Sequence, residues 1–188
     1  MPTNTGLKVT TRLIDVLEDE VDEKYYLSDE KTKKLTLDND LGGKLNMYDF
    51  NERDKVHSVN KVSPTLNTMQ GGDRQPKIAV REATKQGYAI AEQGDSVNVT
   101  YPDSKTRRGR VGKQVAQTLQ AGEVNQGVVM GDIRIRKLVP IETWRLQGFT
   151  DEQFYKAKDS GVSNSQLYKQ AGNSVTVNVV DAIVKELD

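Results

Sequence analysis

The chain has 188 residues, 35% hydrophobic and 29% charged, with 27 basic and 27 acidic side chains and no formal net charge. No run reaches the roughly 18 apolar residues that would suggest a membrane-crossing helix, and the N-terminus lacks the apolar segment of a signal peptide. Cysteine is absent, which removes disulfides and thiolate chemistry together and fits an intracellular, cytoplasmic protein: one domain, or a lobe with an extension.

The charge is unevenly placed. Residues 1–40 hold six basic and ten acidic side chains (−4), residues 41–148 hold seventeen and eleven (+6), and residues 149–188 hold four and six (−2). The middle of the chain is therefore the part suited to a polyanion, although such asymmetry is also ordinary in globular proteins.

Residues 1–10 are polar and read as loose. Thr11 to Glu20 has the pattern of a short helix with Leu13, Ile14 and Leu17 on one face. Val21 to Tyr26 is an acidic linker. Ser28 then reads as an N-cap, with Asp29 and Glu30 in a first turn favoured by the helix dipole, and this helix runs to about Leu37 as a connector.

From about Leu45 to Ile135 short apolar runs alternate with Gly, Asn and Asp. Lys77 to Val80, Ser96 to Tyr101, Gly127 to Met130 and Ile133 to Ile135 read as strands, and Ala83 to Gln93 as one helical interruption. A near-repeat lies inside: Val62-Ser63-Pro64-Thr65-Leu66-Asn67-Thr68 parallels Val115-Ala116-Gln117-Thr118-Leu119-Gln120-Ala121, each followed by Gly and a short Val/Ile run. Gln70 and Arg74 flank Gly71-Gly72 in the first unit, and Asn125 and Gln126 hold the corresponding place in the second. Such side chains read purine edges through paired hydrogen bonds, and equally they form ordinary polar hairpin tips. Between the units, Ser104 to Lys113 has five cations (Lys105, Arg107, Arg108, Arg110 and Lys113) and no acid. That composition suits phosphate oxygens; the plain alternative is a solvated loop.

Arg136 to Phe149 organises the rest. Pro140 suits a first helical position and Gly148 the residue after a helix end. Trp144 and Leu146 cannot face the same way, so the helix between is a hub buried on more than one side, with Glu142 and Arg145 spaced to pair. Thr150 with Gln153 forms a capping box opening a helix that Gly161 ends. Ser163 with Gln166 offers a second box, before a short helix over Leu167 to Ala171 closed by Gly172. A last apolar helix then spans Val175 to Leu187. His57, the only histidine, has no neighbours at metal-ligand spacing, so no metal site is expected. The fold class expected is α+β: an antiparallel, β-rich lobe over 45–135 between a helical connector (1–44) and a helical tail (136–188).

Two stretches carry a resemblance. Arg136-Lys137-Leu138-Val139-Pro140-Ile141-Glu142-Thr143-Trp144-Arg145-Leu146-Gln147-Gly148-Phe149 resembles motif IX of the DNA (cytosine-5)-methyltransferases, departing at Val139 (Thr in the family) and Thr150 (Pro). Gln170-Ala171-Gly172-Asn173-Ser174-Val175 is similar to motif X. The resemblance implies that a Thr-Leu pair marks the target-recognition region, so Thr65 or Thr118 becomes a candidate for DNA contact beside the plain reading of a strand end. It also implies that Asn173, Ser174 and Val175, at the start of the last helix, lie next to S-adenosylmethionine; a plain helix cap is the physical alternative. It finds no counterpart for the Pro-Cys nucleophile, the Glu-Asn-Val stretch or the Gly-rich opening of the cofactor lobe. The expectation is thus the recognition half of such an enzyme, inactive alone, binding double-stranded DNA and completing the cofactor site with a catalytic partner. A stand-alone DNA-binding or regulatory fragment, or a degenerate remnant, are the alternatives. The last helix, apolar on nearly every side, implies that partner or self-association.

Overall fold

In a computed structural model, the described residues are 12–37, 77–121, 124–132 and 134–187. Thr65, Gln70, Arg74, His57 and the first of the two Thr-Leu units lie outside them.

Helices and antiparallel sheets make up the described residues, an α+β architecture. Strands β1 (Ile78–Arg81) and β2 (Tyr88–Ala91) form a hairpin, with Ile78 opposite Ala91 and Arg81 opposite Tyr88. Strands β3 (Ser96–Asn98), β4 (Val111–Gly112), β5 (Gln126–Val129) and β6 (Ile135–Lys137) form a second, wholly antiparallel sheet in the order β4-β3-β5-β6. The helical interruption expected over Ala83 to Gln93 is absent. Its Ala, Glu, Lys and Gln favour helix locally, but Gly87 turns at φ +83 and the residues after it pair with β1. Tertiary pairing overrides propensity here.

β5 is buried on both faces, and this makes the core continuous. Val129 joins Ile78, Val80, Ala91, Val97 and Ile135 between the two sheets. Its neighbour Val128 points the other way, onto Leu13, Val16 and Leu138. The segment carrying Leu13 is a single 3-10 turn, Leu13–Val16, not the longer helix expected over Thr11 to Glu20. Its charged successors, Glu18 to Glu20, leave only Leu13 and Val16 to bury in that turn. A second 3-10 turn, Glu23–Tyr25, lies within the expected linker. Helix α1 (Asp29–Leu35) starts at Ser28, whose side chain accepts from Lys31 N, and stops two residues earlier than expected. There Thr36 bridges to Val80 and Leu37 N donates to Ala79 O.

The helical tail begins with α2 (Pro140–Leu146), with Pro140 at its start and Gly148 following at φ +84. Gly148 N and Phe149 N reach back to Arg145 O and Trp144 O, closing the helix end. Trp144 packs with Phe154, Leu167 and Ala171, while Leu146 packs on the Leu13–Val128 cluster on the other side. One seven-residue helix thus joins the sheet to the helices after it. Helix α3 (Asp151–Asp159) carries the Thr150–Gln153 capping box and ends before Gly161 at φ +92. Helix α4 (Asn164–Asn173) is longer than expected: it continues through Gly172, which closes nothing. Helix α5 (Val177–Lys185) begins two residues later than expected and buries none of its side chains; Val179, Val180, Ile183 and Val184 are exposed.

Candidate nucleic-acid interface

The central junction is a buried ion pair. Arg136, on β6, donates from Nη1 to Glu142 Oε2 at 2.9 Å and from Nη2 to Oε1 at 2.7 Å, and both side chains are 0% exposed. The same carboxylate accepts Val139 N at 2.7 Å and Glu18 N at 2.8 Å, so it ties the strand, the helix start and the N-terminal segment together. This replaces the expected Glu142–Arg145 pair. Helical side chains lean toward the N-terminus, so Glu142, in the first turn, reaches back to β6. Arg145 turns outward instead, binding Asp151 through Nε and Nη2 at 2.7 and 2.6 Å and pairing with Glu18. The bidentate hydrogen bonds from Arg145 hold the Asp151 carboxyl below its usual range, against a smaller opposing effect of burial.

A second junction was not legible in the sequence. Gln147 donates from Nε2 to Ala171 O at 2.9 Å, accepts Thr176 Oγ1 at 2.8 Å on its own Oε1, and accepts Val177 N at 2.9 Å on its backbone oxygen. The residue after α2 therefore ties the end of α4 to the start of α5. Only the Arg-Leu-Gln-Gly run itself could have signalled it.

Between these junctions and the sheet lies the Thr-Leu segment. Gln126 Oε1 accepts Gln117 N at 2.8 Å, Gln126 Nε2 donates to Gln117 O, and Asn125 Nδ2 donates to Thr118 O at 3.1 Å. Leu119 is tucked onto the helical cluster, and Thr118 and Gln120 are exposed. Asn125 and Gln126, expected to reach base edges or else to form a polar hairpin tip, are instead buried, with Gln126 opening β5. Their amides serve the segment's backbone. Gly172 presses on the segment from the other side: a Cβ there would lie 2.7 Å from Ala121 N and from Gln120 C.

Gln117 connects this segment to the basic run, donating from Nε2 to Gly109 O at 2.8 Å and Arg110 O at 3.1 Å. Within that run Lys105 and Arg108 are exposed and Arg107 is half-buried. The run is pinned, not loose: Arg107 O accepts Ala83 N at 2.7 Å, and Arg108 Nε donates to Ala83 O at 3.0 Å. Arg110, expected among the phosphate-facing cations, is buried. Its Nη1 donates to Asn98 O and Thr100 O, both at 3.0 Å, and its Nη2 to Tyr101 O at 2.7 Å. Burial, with repulsion from Arg107, lowers its pKa from the ordinary arginine value. Lys113 is half occupied elsewhere, pairing at 2.7 Å with buried Asp95. Glu82 accepts Arg110 N at 2.6 Å, so an acid sits in space beneath a run that has none in sequence.

Asn173, Ser174 and Val175 do not start a helix. Asn173 ends α4 and Ser174 follows it, with its Oγ donating to Ala171 O at 2.8 Å. Asn173 and Val175 are exposed. A short turn between helices, with one hydroxyl already bonded to its own helix, stands in place of the expected helix start.

The chain belongs to the C-5 cytosine-specific DNA methylase family, which it matches over residues 1–188. It is 42% identical over 201 residues to the orphan methyltransferase M.SPBetaI of Bacillus phage SPbeta, covering 95% of this chain and 42% of that protein. The same figures hold for the putative type II methyltransferase M.BsuMIIP of Bacillus subtilis strain 168. The orphan methyltransferase M.Rho11sI of Bacillus phage rho11s is 33% identical over 283 residues, covering 95% of this chain and 56% of that protein. The chain thus spans about half the length of the curated relatives it matches. No solved structure matches it. The family carries out methyl transfer from S-adenosylmethionine, and its members act on DNA. Among the described residues no helix is long and apolar enough to cross a membrane.

Proposed function

We propose that this chain is the DNA-recognition part of a cytosine-5 methyltransferase. It binds duplex DNA by itself and methylates it only together with a catalytic part that supplies the cysteine nucleophile. The observation that carries this reading is the linkage through Gln117. A cationic segment and a Thr-Leu segment, far apart in character, are fixed to one another by a single side chain. Lys105, Arg107 and Arg108 take phosphate oxygens, and Thr118 and Gln120 face the bases. Asn125, Gln126 and Arg110, all buried, hold these segments in place and do not touch DNA. Lys113 contributes charge while paired to Asp95.

Asn173 and Val175 form one wall of the S-adenosylmethionine site, and the catalytic part forms the rest. When bound, the cofactor supplies the methyl group. The exposed Val179, Val180, Ile183 and Val184 of α5 are the surface against which that catalytic part packs. The chain has no cysteine, so the polypeptide alone has no thiol to add to a base.

The test is complementation. The purified chain is mixed with a catalytic half bearing the Pro-Cys loop, duplex DNA and methyl-labelled S-adenosylmethionine. Label should enter cytosine only in the mixture. Salt-dependent DNA binding without any complementation would favour a stand-alone DNA-binding fragment instead.

A further inference from the structure

The side chain of Tyr101 projects from the turn that Arg110 braces. The residue is 76% exposed, and it is one of two non-glycine residues with positive φ, at +48, among the described residues. Such a conformation is uncommon for a bulky side chain and persists only where surrounding contacts enforce it. They do so here. Arg110, 1% exposed, brings two nitrogens onto the carbonyls of Asn98, Thr100 and Tyr101, and its Nε has no partner. Asn98 Oδ1 accepts both Thr100 N at 3.1 Å and Thr100 Oγ1 at 2.6 Å. Ser104 N donates to Tyr101 O at 3.0 Å, closing a tight turn. A buried arginine and an asparagine thus hold the backbone, while the side chain itself stands mostly in solvent. Among the described residues its hydroxyl has no hydrogen-bond partner. The turn leads straight into the exposed cations Lys105 and Arg108, and the acid between, Asp103, lies 3.7 Å from Lys34.

An exposed aromatic ring on a pinned turn, a few residues along the chain from exposed cations, matches the pairing of stacking ring and phosphate-binding cations by which proteins hold unstacked nucleic-acid bases. We propose that Tyr101 is a base-stacking contact: its ring lies against a base unstacked from the bound DNA while Lys105 and Arg108 hold the flanking phosphates, with Arg110 as the positioning residue behind it. This rests on the DNA-binding reading above. The ring, not the hydroxyl, makes the contact, because stacking needs only a π face.

The experiment is a salt titration of binding to a fluorescently labelled, mixed-sequence duplex by the chain and by Tyr101→Phe, Tyr101→Asn and Arg108→Ala. Asparagine tolerates the left-handed backbone, so its loss of binding reports the ring and not the turn. Tyr101→Asn should weaken binding at every salt concentration, by up to about 150-fold, the most that stacking on one base provides before the cost of unstacking it from the duplex is deducted. Its salt slope should stay parallel to that of the unaltered chain. Tyr101→Phe should bind within about twofold of it, and Arg108→Ala should lower the slope by about one. A 2-aminopurine-substituted duplex should change its fluorescence with the unaltered chain and with Tyr101→Phe but not with Tyr101→Asn. Equal affinity of Tyr101→Asn and the unaltered chain, or loss in Tyr101→Phe equal to that in Tyr101→Asn, overturns the stacking role alone. Absence of any salt-dependent binding by the unaltered chain overturns the DNA-binding reading and the stacking role with it.

Discussion

Arg136 and Glu142 face each other across the end of β6 and the start of α2 with two hydrogen bonds of 2.9 and 2.7 Å and no exposure to solvent. A buried pair of this kind is weak evidence for net stabilisation, because desolvating both charges costs about what their attraction returns. Removing one partner is different, since the other charge is then stranded. Glu142→Ala leaves Arg136 buried without its carboxylate and also orphans Val139 N and Glu18 N. We expect a loss of roughly 3–5 kcal/mol, measured by denaturant unfolding. The double change Arg136→Met with Glu142→Leu should recover the part due to the stranded charge, but not the part due to the two orphaned N–H groups.

Gly172→Ala sets two effects against each other. In a helix interior alanine is favoured over glycine by about 1 kcal/mol. Here the added methyl would meet Gln120 and Ala121 backbone atoms at 2.7 Å, and backbone cannot yield as a side-chain tip would. Overpacking should win, with a net loss of roughly 1–3 kcal/mol. Amide exchange should quicken selectively over residues 117–121, because the helix can relieve the clash only by displacing that segment.

The cations Lys105, Arg107 and Arg108 should act through counterions. Replacing all three with alanine should lower the slope of log affinity against log salt by about 2 to 3, measured by anisotropy with any duplex sequence. Arg110→Ala should behave differently. Losing three carbonyl contacts inside the protein, it should lower the unfolding midpoint and disturb the turn at Tyr101.

The Arg145–Asp151 pair gives a pH signature. The Asp151 carboxyl lies below its usual 3.8 in the folded chain, first because of the hydrogen bonds from Arg145. A depressed folded value means the stabilisation is present above the unfolded value and fades as pH falls through the folded one. The pair is half-exposed at Asp151, so the effect is small, about 0.2–1 kcal/mol. Asp151→Asn should melt slightly below the unaltered chain at pH 7, and the difference should fade as the pH falls below 3.8 and through the depressed folded value.

What was legible in the sequence was local. Pro140, Gly148, Thr150 with Gln153, and Ser28 announce helix ends within four residues of themselves, and each stands where its chemistry puts it. The strands at Ile78, Ser96 and Gln126 were signalled by valine and isoleucine between turn residues. What failed depended on distant partners. The segment Ala83–Gln93 has helical residues, but a strand waits beside it. Glu142 and Arg145 have the spacing to pair, but each found a better partner outside the helix. Asn125, Gln126 and Arg110 look like surface residues because polar side chains usually are. Their burial follows from backbone carbonyls and amides of other segments that needed partners, which no spacing rule reveals. Tyr101 carries no sequence signal for a related reason: its positive φ is held by Arg110, nine residues on.

The most direct measurement is methyl transfer by the isolated chain. Purified polypeptide is incubated with duplex DNA and methyl-labelled S-adenosylmethionine, and bound DNA and labelled cytosine are measured in the same samples across a salt series. The account predicts DNA retention that falls with salt and no label in cytosine. Label transferred to cytosine by this chain alone, with no companion protein present, would contradict it.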